Sequence, residues 1–260
     1  MVTITEAERK LPYAKYFDRP MAPIPEEKLA IWRGPAADPA LATPIERRND
    51  FLDGAVALEV GFTVAPNGTG FVANSTFMPG VTAEMFDWWF GWHSVGPDLR
   101  YKIWDKEDHY YARAMNPDYV LDPAVPNREK TWGVTHDILE DIGLGPDPLK
   151  LTFHKPSDLG YDMAKIGTPT CTTMVCATGV SQVAAVMTHK AVEEPGGIWL
   201  KSHFWMGYGM DEQGRLVKLL PEGAAVPEMA PRALFGHNIK EFTNLAAILP
   251  ELYAEEKDHW

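Results

Sequence analysis

The segment Phe235-Gly236-His237-Asn238-Ile239-Lys240-Glu241 opens the last long apolar-periodic stretch of the sequence. On a helix, His237 and Glu241 lie four residues apart and therefore on the same face, one turn above the other. This face continues along an apolar stripe formed by Leu245, Ile248 and Leu252. The stripe predicts that the His–Glu pair faces the protein interior. Because a buried carboxylate needs a partner, the pair either binds a divalent metal ion or forms an ordinary hydrogen-bonded pair.

Much of the remaining sequence shows an apolar period of two residues, which is typical of β-strands with one buried face. Strands are predicted at residues 55–64, 71–78, 99–104, 150–153, 171–177, 180–192, 198–208 and about 215–220. The turn sequence Pro66-Asn67-Gly68-Thr69-Gly70 joins the first two strands into a hairpin. Residues Glu193-Glu194-Pro195-Gly196-Gly197 join 180–192 to 198–208 into a longer one.

Two helices complete the predicted fold. Thr82 is a good N-cap for a helix at residues 83–92, whose five aromatic side chains cannot all face water. The final helix is predicted to kink or end at Pro250, which removes a backbone donor. Antiparallel hairpins followed by one long helix predict an α+β fold, with a curved sheet wrapped around the C-terminal helix. Such a fold encloses a pocket, and walls rich in Trp, Phe and Met suit an apolar or aromatic small molecule.

Residues 1–50 differ from the rest because six prolines between Pro20 and Pro44 leave room for only a short helix, at 26–32. This N-terminal arm still carries several large apolar side chains: Tyr13, Tyr16, Phe17, Ile31, Trp32 and Leu41. A free linker would not carry so many, so we expect the arm to pack on its own domain or on a second subunit. We favour homodimerisation, with residues 51–260 as a single domain.

Composition excludes several classes of protein. The 260 residues include 24 basic and 36 acidic ones, giving a net charge of -12 with no basic stripe, so a nucleic-acid partner is not expected. Cys171 and Cys176 fit neither a disulfide framework nor a four-cysteine zinc site, and we predict two buried thiols. No signal-peptide pattern or membrane-spanning apolar run is present, which predicts a cytoplasmic protein without membrane attachment.

Five short motifs together resemble the diacetylphloroglucinol hydrolase and phloretin hydrolase family. They occur in the family's order and approximate spacing between about residues 50 and 255: Phe77-Met78-Pro79-Gly80-Val81-Thr82, Trp88-Trp89-Phe90-Gly91-Trp92-His93, Tyr101-Lys102-Ile103-Trp104 followed by His109, Glu140-Asp141-Ile142-Gly143, and His237-Asn238-Ile239-Lys240-Glu241. Singly none is specific, but jointly they are. The resemblance implies a Bet v 1-like (START, helix-grip) domain behind a small N-terminal dimerisation segment. It also implies hydrolysis of the carbon–carbon bond between an acyl group and a phloroglucinol ring.

The resemblance further implies one zinc ion on two histidines and two glutamates. The corresponding residues of this sequence are His109, Glu140, His237 and Glu241. Imidazole and carboxylate ligands suit zinc, although iron, manganese or cobalt are alternatives. Near Glu140, Asp141 or His136 could serve instead. His93 follows the aromatic helix, and we interpret it as a cap or core histidine.

Proton transfer and binding of the ring oxygens need further residues. Tyr101 matches a family tyrosine eight positions before the first ligand, and would share the face of His109 if one strand held both. His189 lies where the family carries a pocket histidine, so we predict an acid/base role for it. If the loop after Val192 has five residues, His203 falls on the same sheet face as His189 and is a further candidate. Ala112 stands where the family carries a polar residue, which affects substrate choice.

Two alternative functions use the same features. A metal-dependent lyase or isomerase acting on an aromatic or polyketide ketone could use the same ligands. A hydrophobic carrier without catalytic activity could have the same pocket. A serine hydrolase is disfavoured because the sequence contains no Gly-x-Ser-x-Gly motif.

Overall fold

The computed structural model describes residues 2–260, which form a large antiparallel sheet packed against a long C-terminal helix. The strands are β1 (Gly61–Val64), β2 (Gly70–Pro79), β3 (His109–Ala114), β4 (Thr135–Glu140), β5 (Asp147–His154), β6 (Thr173–Val180), β7 (Ala185–Glu194), β8 (Gly197–Met206), β9 (Tyr208–Met210) and β10 (Leu216–Lys218). Eight of them form one sheet in the order β1-β2-β8-β7-β6-β5-β4-β3, while β9 and β10 form a separate pair. Every pairing between these strands is antiparallel.

Within residues 2–260, seven α-helices accompany the strands. They are α1 (Ala14–Asp18), α2 (Glu26–Arg33), α3 (Asn49–Asp53), α4 (Ala83–Trp92), α5 (Leu99–Lys102), α6 (Pro117–Leu121) and α7 (Met229–Glu256). Helix α4 begins as predicted, since the Thr82 hydroxyl accepts a hydrogen bond from the backbone N–H of Met85 at 3.3 Å. Helix α7 runs through Pro250 and does not end there. No helix among residues 2–260 is both long and apolar enough to cross a membrane.

The main core lies between α7 and one face of the sheet. Phe235, Ile239, Phe242, Leu245 and Leu249 on α7 are fully buried, because their spacing of three and four residues keeps them on one side of the helix. The fold class predicted from the sequence, an α+β helix-grip domain, is confirmed. The first strand is shorter than predicted, since it begins at Gly61 and not near residue 55.

The hairpin formed by β7 and β8 differs from the predicted register. Glu194 pairs with Gly197, so the turn is Pro195-Gly196 and contains two residues where five were expected. The partner of His189 is therefore Ser202, and His203 lies opposite Thr188. Because side chains alternate between the two faces of a strand, this change of one residue in the pairing moves His203 to the face opposite that of His189. The prediction that both histidines share one face is wrong.

The segment 99–104 is helical, and the predicted strand there is wrong. Residues 99–102 are all buried, whichever way they point, so their alternating apolar pattern carries no information about the period. The chain turns into α5 after Pro97, and the backbone N–H groups of Tyr101 and Lys102 donate to the carbonyl of Asp98 at 3.0 and 3.1 Å. The Arg100 guanidinium stabilises this turn by donating to nearby carbonyls, which leaves Tyr101 on a helix and His109 on β3.

The N-terminal arm packs on its own chain. Tyr13 and Tyr16 are buried, and the Tyr16 hydroxyl donates to Oε2 of Glu255 near the end of α7 at 2.9 Å. The Ala22 backbone N–H donates to Oδ1 of Asn244 at 3.0 Å. Packing on its own domain was one of the two alternatives for this arm. Homodimerisation and a domain boundary near residue 50 stay predictions.

Trp32 of the arm lies directly against Gly236 of α7. A methyl group at position 236 would clash with the indole ring of Trp32, so glycine allows the close approach of the two segments. Gly236→Ala would favour an isolated helix by about 1 kcal/mol, but overpacking usually costs about 1–3 kcal/mol.

We therefore expect Gly236→Ala to lower the stability of the folded protein, measured as a fall in the midpoint of urea unfolding. The matched control is Gly236→Ala combined with Trp32→Ala, which removes the ring that the methyl group would meet. If the loss is as large in the double variant as in Gly236→Ala with Trp32 present, the close contact does not explain it.

Candidate active site

A cavity of about 140 Å³ lies between α7 and the sheet. Its walls are mainly apolar and aromatic, and they include Phe90, Trp104, Ile138, Leu149, Leu151, Phe153, Met187, Phe204 and Leu234. An apolar cavity of comparable size, roughly 150 Å³, can bind a benzene molecule. A few polar side chains also reach this cavity, among them His93, Tyr101, His136, Glu140, His189, His237 and Glu241. The predicted pocket with aromatic walls is thus present.

Three potential metal ligands converge beside this cavity. The Nε2 atoms of His109 and His237 are 3.3 Å apart, and Oε2 of Glu241 lies 3.7 Å from the first and 3.8 Å from the second. All three side chains are buried. Three donors bound to one zinc ion at its usual bond lengths would lie roughly 3.3–3.4 Å apart. His109, His237 and Glu241 therefore form a group that could hold a metal ion.

The other ring nitrogens of the two histidines fix how their imidazoles point. Nδ1 of His237 donates to Oδ2 of Asp108 at 3.0 Å, and Nδ1 of His109 faces the carbonyl oxygen of Tyr101 at 3.3 Å. With the protons on Nδ1, both neutral rings direct Nε2 lone pairs at each other and at the Glu241 carboxylate. A proton on Nε2 of His237 satisfies this contact within the chain, and a bound cation would take the place of that proton. Histidines bound to metals use the same kind of outer partners, so these residues fit a cation.

The charges around this group are unbalanced within the chain. Burial raises the pKa of Glu241 to about 8. Burial alone would lower the pKa of His237, but the carboxylates of Glu241 and Asp108 raise it to about 10. Lys240 offsets part of the negative charge, since its Nζ lies 2.7 Å from Oδ2 of Asp108. Acidic groups thus outnumber basic ones around His237, which again suits a bound cation.

Glu140 and Tyr101 lie at the edge of the same group. Glu140 is the last residue of β4 and pairs with His109 on β3, so the strand pairing brings the two predicted ligands side by side. The Tyr101 hydroxyl donates to Oε2 of Glu140 at 2.5 Å, and its ring stacks on that of His109 with centroids 3.9 Å apart. Burial and the Glu140 charge raise the pKa of Tyr101 well above its usual value, so the hydroxyl keeps its proton. In this structure Tyr101 positions Glu140.

His189 lies in the same cavity on β7. Its ring contacts Phe242 and Phe204, with centroid distances of 4.9 and 5.4 Å, and its Nδ1 lies 2.7 Å from the Ser202 hydroxyl. Among residues 2–260 its Nε2 has no hydrogen-bond partner. Burial lowers the pKa of His189 to about 3, so the imidazole is neutral at physiological pH. Because a serine hydroxyl can donate or accept, Nε2 of His189 can carry a proton or receive one.

His203 lies outside this cavity. Its ring stacks on Phe51 with centroids 3.9 Å apart and packs against Phe71 and Trp205 on the opposite face of the sheet. The sheet separates it from His189, as the register of the hairpin requires. The structure gives His203 a packing role and removes the basis for a catalytic one.

Three further residues near the predicted ligands, Asp141, His136 and His93, have other contacts. Oδ1 of Asp141 accepts hydrogen bonds from the backbone N–H groups of Gly143 and Gly145, so it shapes an exposed loop. His136 is buried and lies four residues before Glu140, on the same face of β4. His93 is the C-cap of α4, and its Nδ1 donates to the Trp89 carbonyl at 2.8 Å, as expected for a capping histidine.

Sequence reasoning missed two residues that support the site. Asp108 orients His237, and Ser202 contacts His189. Asp108 directly precedes the predicted ligand His109, and a carboxylate next to a ligand is a usable signal for an outer partner. Ser202 could have been found only from the correct hairpin register.

Comparison with known proteins places the chain in a family. The sequence model of the DAPG hydrolase PhiG domain matches residues 41–254. A phloretin hydrolase of Eubacterium ramulus is 56% identical over 99% of this chain and 94% of its own length. A 2,4-diacetylphloroglucinol hydrolase of a Pseudomonas species is 31% identical over 96% of this chain and 90% of its own. The chain therefore belongs to the DAPG hydrolase family.

A similar solved structure is that of Ara h 8.0201. It aligns with a TM-score of 0.45 and 8% sequence identity, covering 71% of this chain and 99% of the other.

Proposed function

We propose that this protein is a metal-dependent hydrolase that cleaves the carbon–carbon bond between an acyl group and a phloroglucinol-type ring. The products are a carboxylic acid and the deacylated phenol. The observation that carries the proposal is the buried group of His109, His237 and Glu241 beside a cavity of about 140 Å³ with aromatic walls. Relatives with the names phloretin hydrolase and 2,4-diacetylphloroglucinol hydrolase support it.

The proposed metal is one zinc ion per chain, held by His109, Glu140, His237 and Glu241. Two imidazoles and two carboxylates would neutralise a dication, and zinc prefers such ligands. Glu140 lies outside the group of three converging donors and joins this set as a proposal, because it pairs with His109 across the strands and its carboxylate is oriented by Tyr101, whose ring stacks on His109. A bound zinc ion supplies Lewis acidity, which polarises a carbonyl or lowers the pKa of a water molecule.

The chain's own residues have to bind the ring and move protons. An aromatic ring carbon is a poor leaving group until the phenol becomes its keto tautomer, which needs a proton on the carbon that carries the acyl group. His189 is proposed to move that proton through Nε2. The Ser202 hydroxyl donates to Nδ1 or accepts from it, depending on which nitrogen of His189 carries the proton. Phe90, Phe204 and Phe242 surround His189 and exclude water from this part of the cavity.

A product assay on metal-loaded protein tests the proposal. Acylphloroglucinols and dihydrochalcones such as phloretin are expected to yield a carboxylic acid and a free phloroglucinol in equal amounts. Isomerised or eliminated products with no carboxylic acid would favour the lyase or isomerase alternative. Binding of the same compounds without any product, in protein that contains no metal after purification, would favour the carrier.

Removing the Tyr101 hydroxyl tests the position of Glu140. Tyr101→Phe keeps the ring against His109 but takes away the hydrogen bond to Oε2 of Glu140. We expect the affinity for zinc to fall about 10- to 100-fold, which is the usual effect of losing an outer partner of a ligand. Competition with a chelator measures this affinity.

Tyr161→Phe is the matched control. Tyr161 is equally buried, but its hydroxyl contacts Thr188 on the opposite side of β7 from His189. This variant should keep the affinity for zinc. If Tyr101→Phe also keeps it, Glu140 does not depend on the tyrosine and its assignment as a ligand loses its support.

A further inference from the structure

His136 is a buried histidine whose polar atoms are unpaired. It has no exposed surface, and neither Nδ1 nor Nε2 has a hydrogen-bond partner among residues 2–260. Leaving buried polar atoms unpaired costs free energy, so such an atom in a folded protein calls for an explanation. His136 lines the cavity and packs against the ring of Phe153, with centroids 4.6 Å apart. Its position is that of a residue awaiting a ligand.

His93 lies next to it and offers a complementary atom. The two rings are 5.9 Å apart and nearly perpendicular. Because Nδ1 of His93 donates to the Trp89 carbonyl, Nε2 of its neutral ring is an acceptor. Burial lowers the pKa of His93 to about 4 and that of His136 well below its ordinary value, so both are neutral. Together they offer one donor and two acceptors within otherwise apolar walls.

These two histidines are set apart from the metal-ligand group. The Tyr101 ring lies between His93 and His109, stacked on both, with centroid distances of 5.6 and 3.9 Å. On β4, His136 precedes Glu140 by four residues, which is roughly 13 Å along an extended strand. A ring whose acyl group lies near the metal ligands would therefore point its far side towards His93 and His136.

We infer that His93 and His136 form a subsite for the phenolic hydroxyl para to the acyl group of the substrate. This inference rests on the proposed function. A phenolic hydroxyl is one donor and one acceptor, and a neutral imidazole is the same, so the two can exchange hydrogen bonds in an apolar setting. Of the hydroxyls on a phloroglucinol-type ring, the para one is the farthest from the acyl group. These histidines thus orient the ring and select for its hydroxylation pattern.

Binding of two benzamides to the zinc-loaded protein tests the subsite. In both, the amide carbonyl takes the place of the ketone but is far less reactive. One carries an ortho and a para hydroxyl, the other two ortho hydroxyls. Calorimetry should show that wild-type protein binds the ortho/para compound about 5- to 150-fold more tightly, the range expected when a buried polar group gains or lacks its partner.

His136→Leu should abolish this preference. The affinity for the ortho/para benzamide falls to that for the di-ortho compound, which itself changes less than about twofold, within the error of additivity. His136→Gln, which keeps a donor and an acceptor, should restore part of the preference. The melting temperature of His136→Leu should equal or exceed that of the wild type, since an apolar side chain replaces an unpaired polar one.

Other outcomes would overturn the inference. Equal weakening of both benzamides would make His136 a packing residue, and an unchanged preference would remove it from recognition. The product assay described above distinguishes a failure of the subsite from a failure of the proposed function. If the protein cleaves no acylphloroglucinol but His136→Leu loses the preference, the subsite is supported and the proposed reaction is contradicted. If the protein cleaves acylphloroglucinols but His136→Leu keeps the preference, the proposed reaction is supported and the subsite is contradicted.

Discussion

His237→Ala protein is expected to contain almost no metal and to have no measurable turnover. The substitution removes one of three converging donor atoms and the side chain that links them to Asp108. The neighbouring Asn238 cannot replace it, because its amide contacts Asn74 on β2 and Oε1 of Glu241. Metal analysis of protein grown with added zinc, together with the product assay, measures both effects. Glu241→Ala should behave in the same way.

The control for this experiment is Glu251→Gln, on the same helix. Glu251 is exposed and pairs with Lys15 and Arg19 at the surface, so its loss should change neither metal content nor turnover. Stoichiometric metal in a folded His237→Ala protein would remove His237 from the ligand set. Such a result would point to Asp105 and Asp108, the other carboxylates near this histidine, as the first residues to test.

His189→Ala is expected to keep its metal and its fold while kcat falls about 10²- to 10⁴-fold, the usual contribution of a positioned acid or base. His189 lies among phenylalanine rings and contacts Ser202, so its removal should leave the metal-ligand group untouched. Ser202→Ala should produce a smaller fall, because it affects only the partner at Nδ1. Steady-state kinetics and metal stoichiometry are measured on the same preparations.

His203→Gln provides the matched comparison. This residue is also a buried histidine of the same hairpin, but it stacks on Phe51 on the other face of the sheet. Its substitution should lower stability and leave kcat unchanged. A fall in kcat as large as that of His189→Ala would contradict the separation of the two faces. Loss of metal from His189→Ala would instead make His189 a ligand.

The elements predicted correctly from the sequence are those marked by an apolar stripe or by turn residues. The stripe on α7 identifies a helix and its buried side. The strands β7 and β8 are buried on both faces over most of their length, so the turn residues between two apolar runs identify the hairpin but not which side faces α7. The strand predicted at residues 99–104 is wrong because a segment buried on all sides carries no periodic signal. The start of α4 succeeded because capping by Thr82 is a local interaction that the sequence displays directly.

The site divides in the same way. His237 and Glu241 could be paired from their spacing alone, because a helix fixes that geometry. The relation between His109 and Glu140 came from the family resemblance, and the strand pairing that joins them is a long-range contact. The orientation of His203 depended on the number of residues in one turn, where Pro195-Gly196 sufficed. A single residue of uncertainty in a turn inverts every side chain of the strand that follows.

The contacts between the arm and α7 have a consequence for how the protein is made. Trp32 contacts Gly236, and Ala22 contacts Asn244. All the strands of the sheet lie between these partners in the sequence. During translation the arm emerges before α7 and must remain without this partner until α7 has left the ribosome. The same helix brings His237 and Glu241, so the proposed metal site and the docking of the arm can form only late in folding. Nascent chains that stall before residue 229 would expose the aromatic arm and lack two of the proposed metal ligands, which makes them natural clients of chaperones.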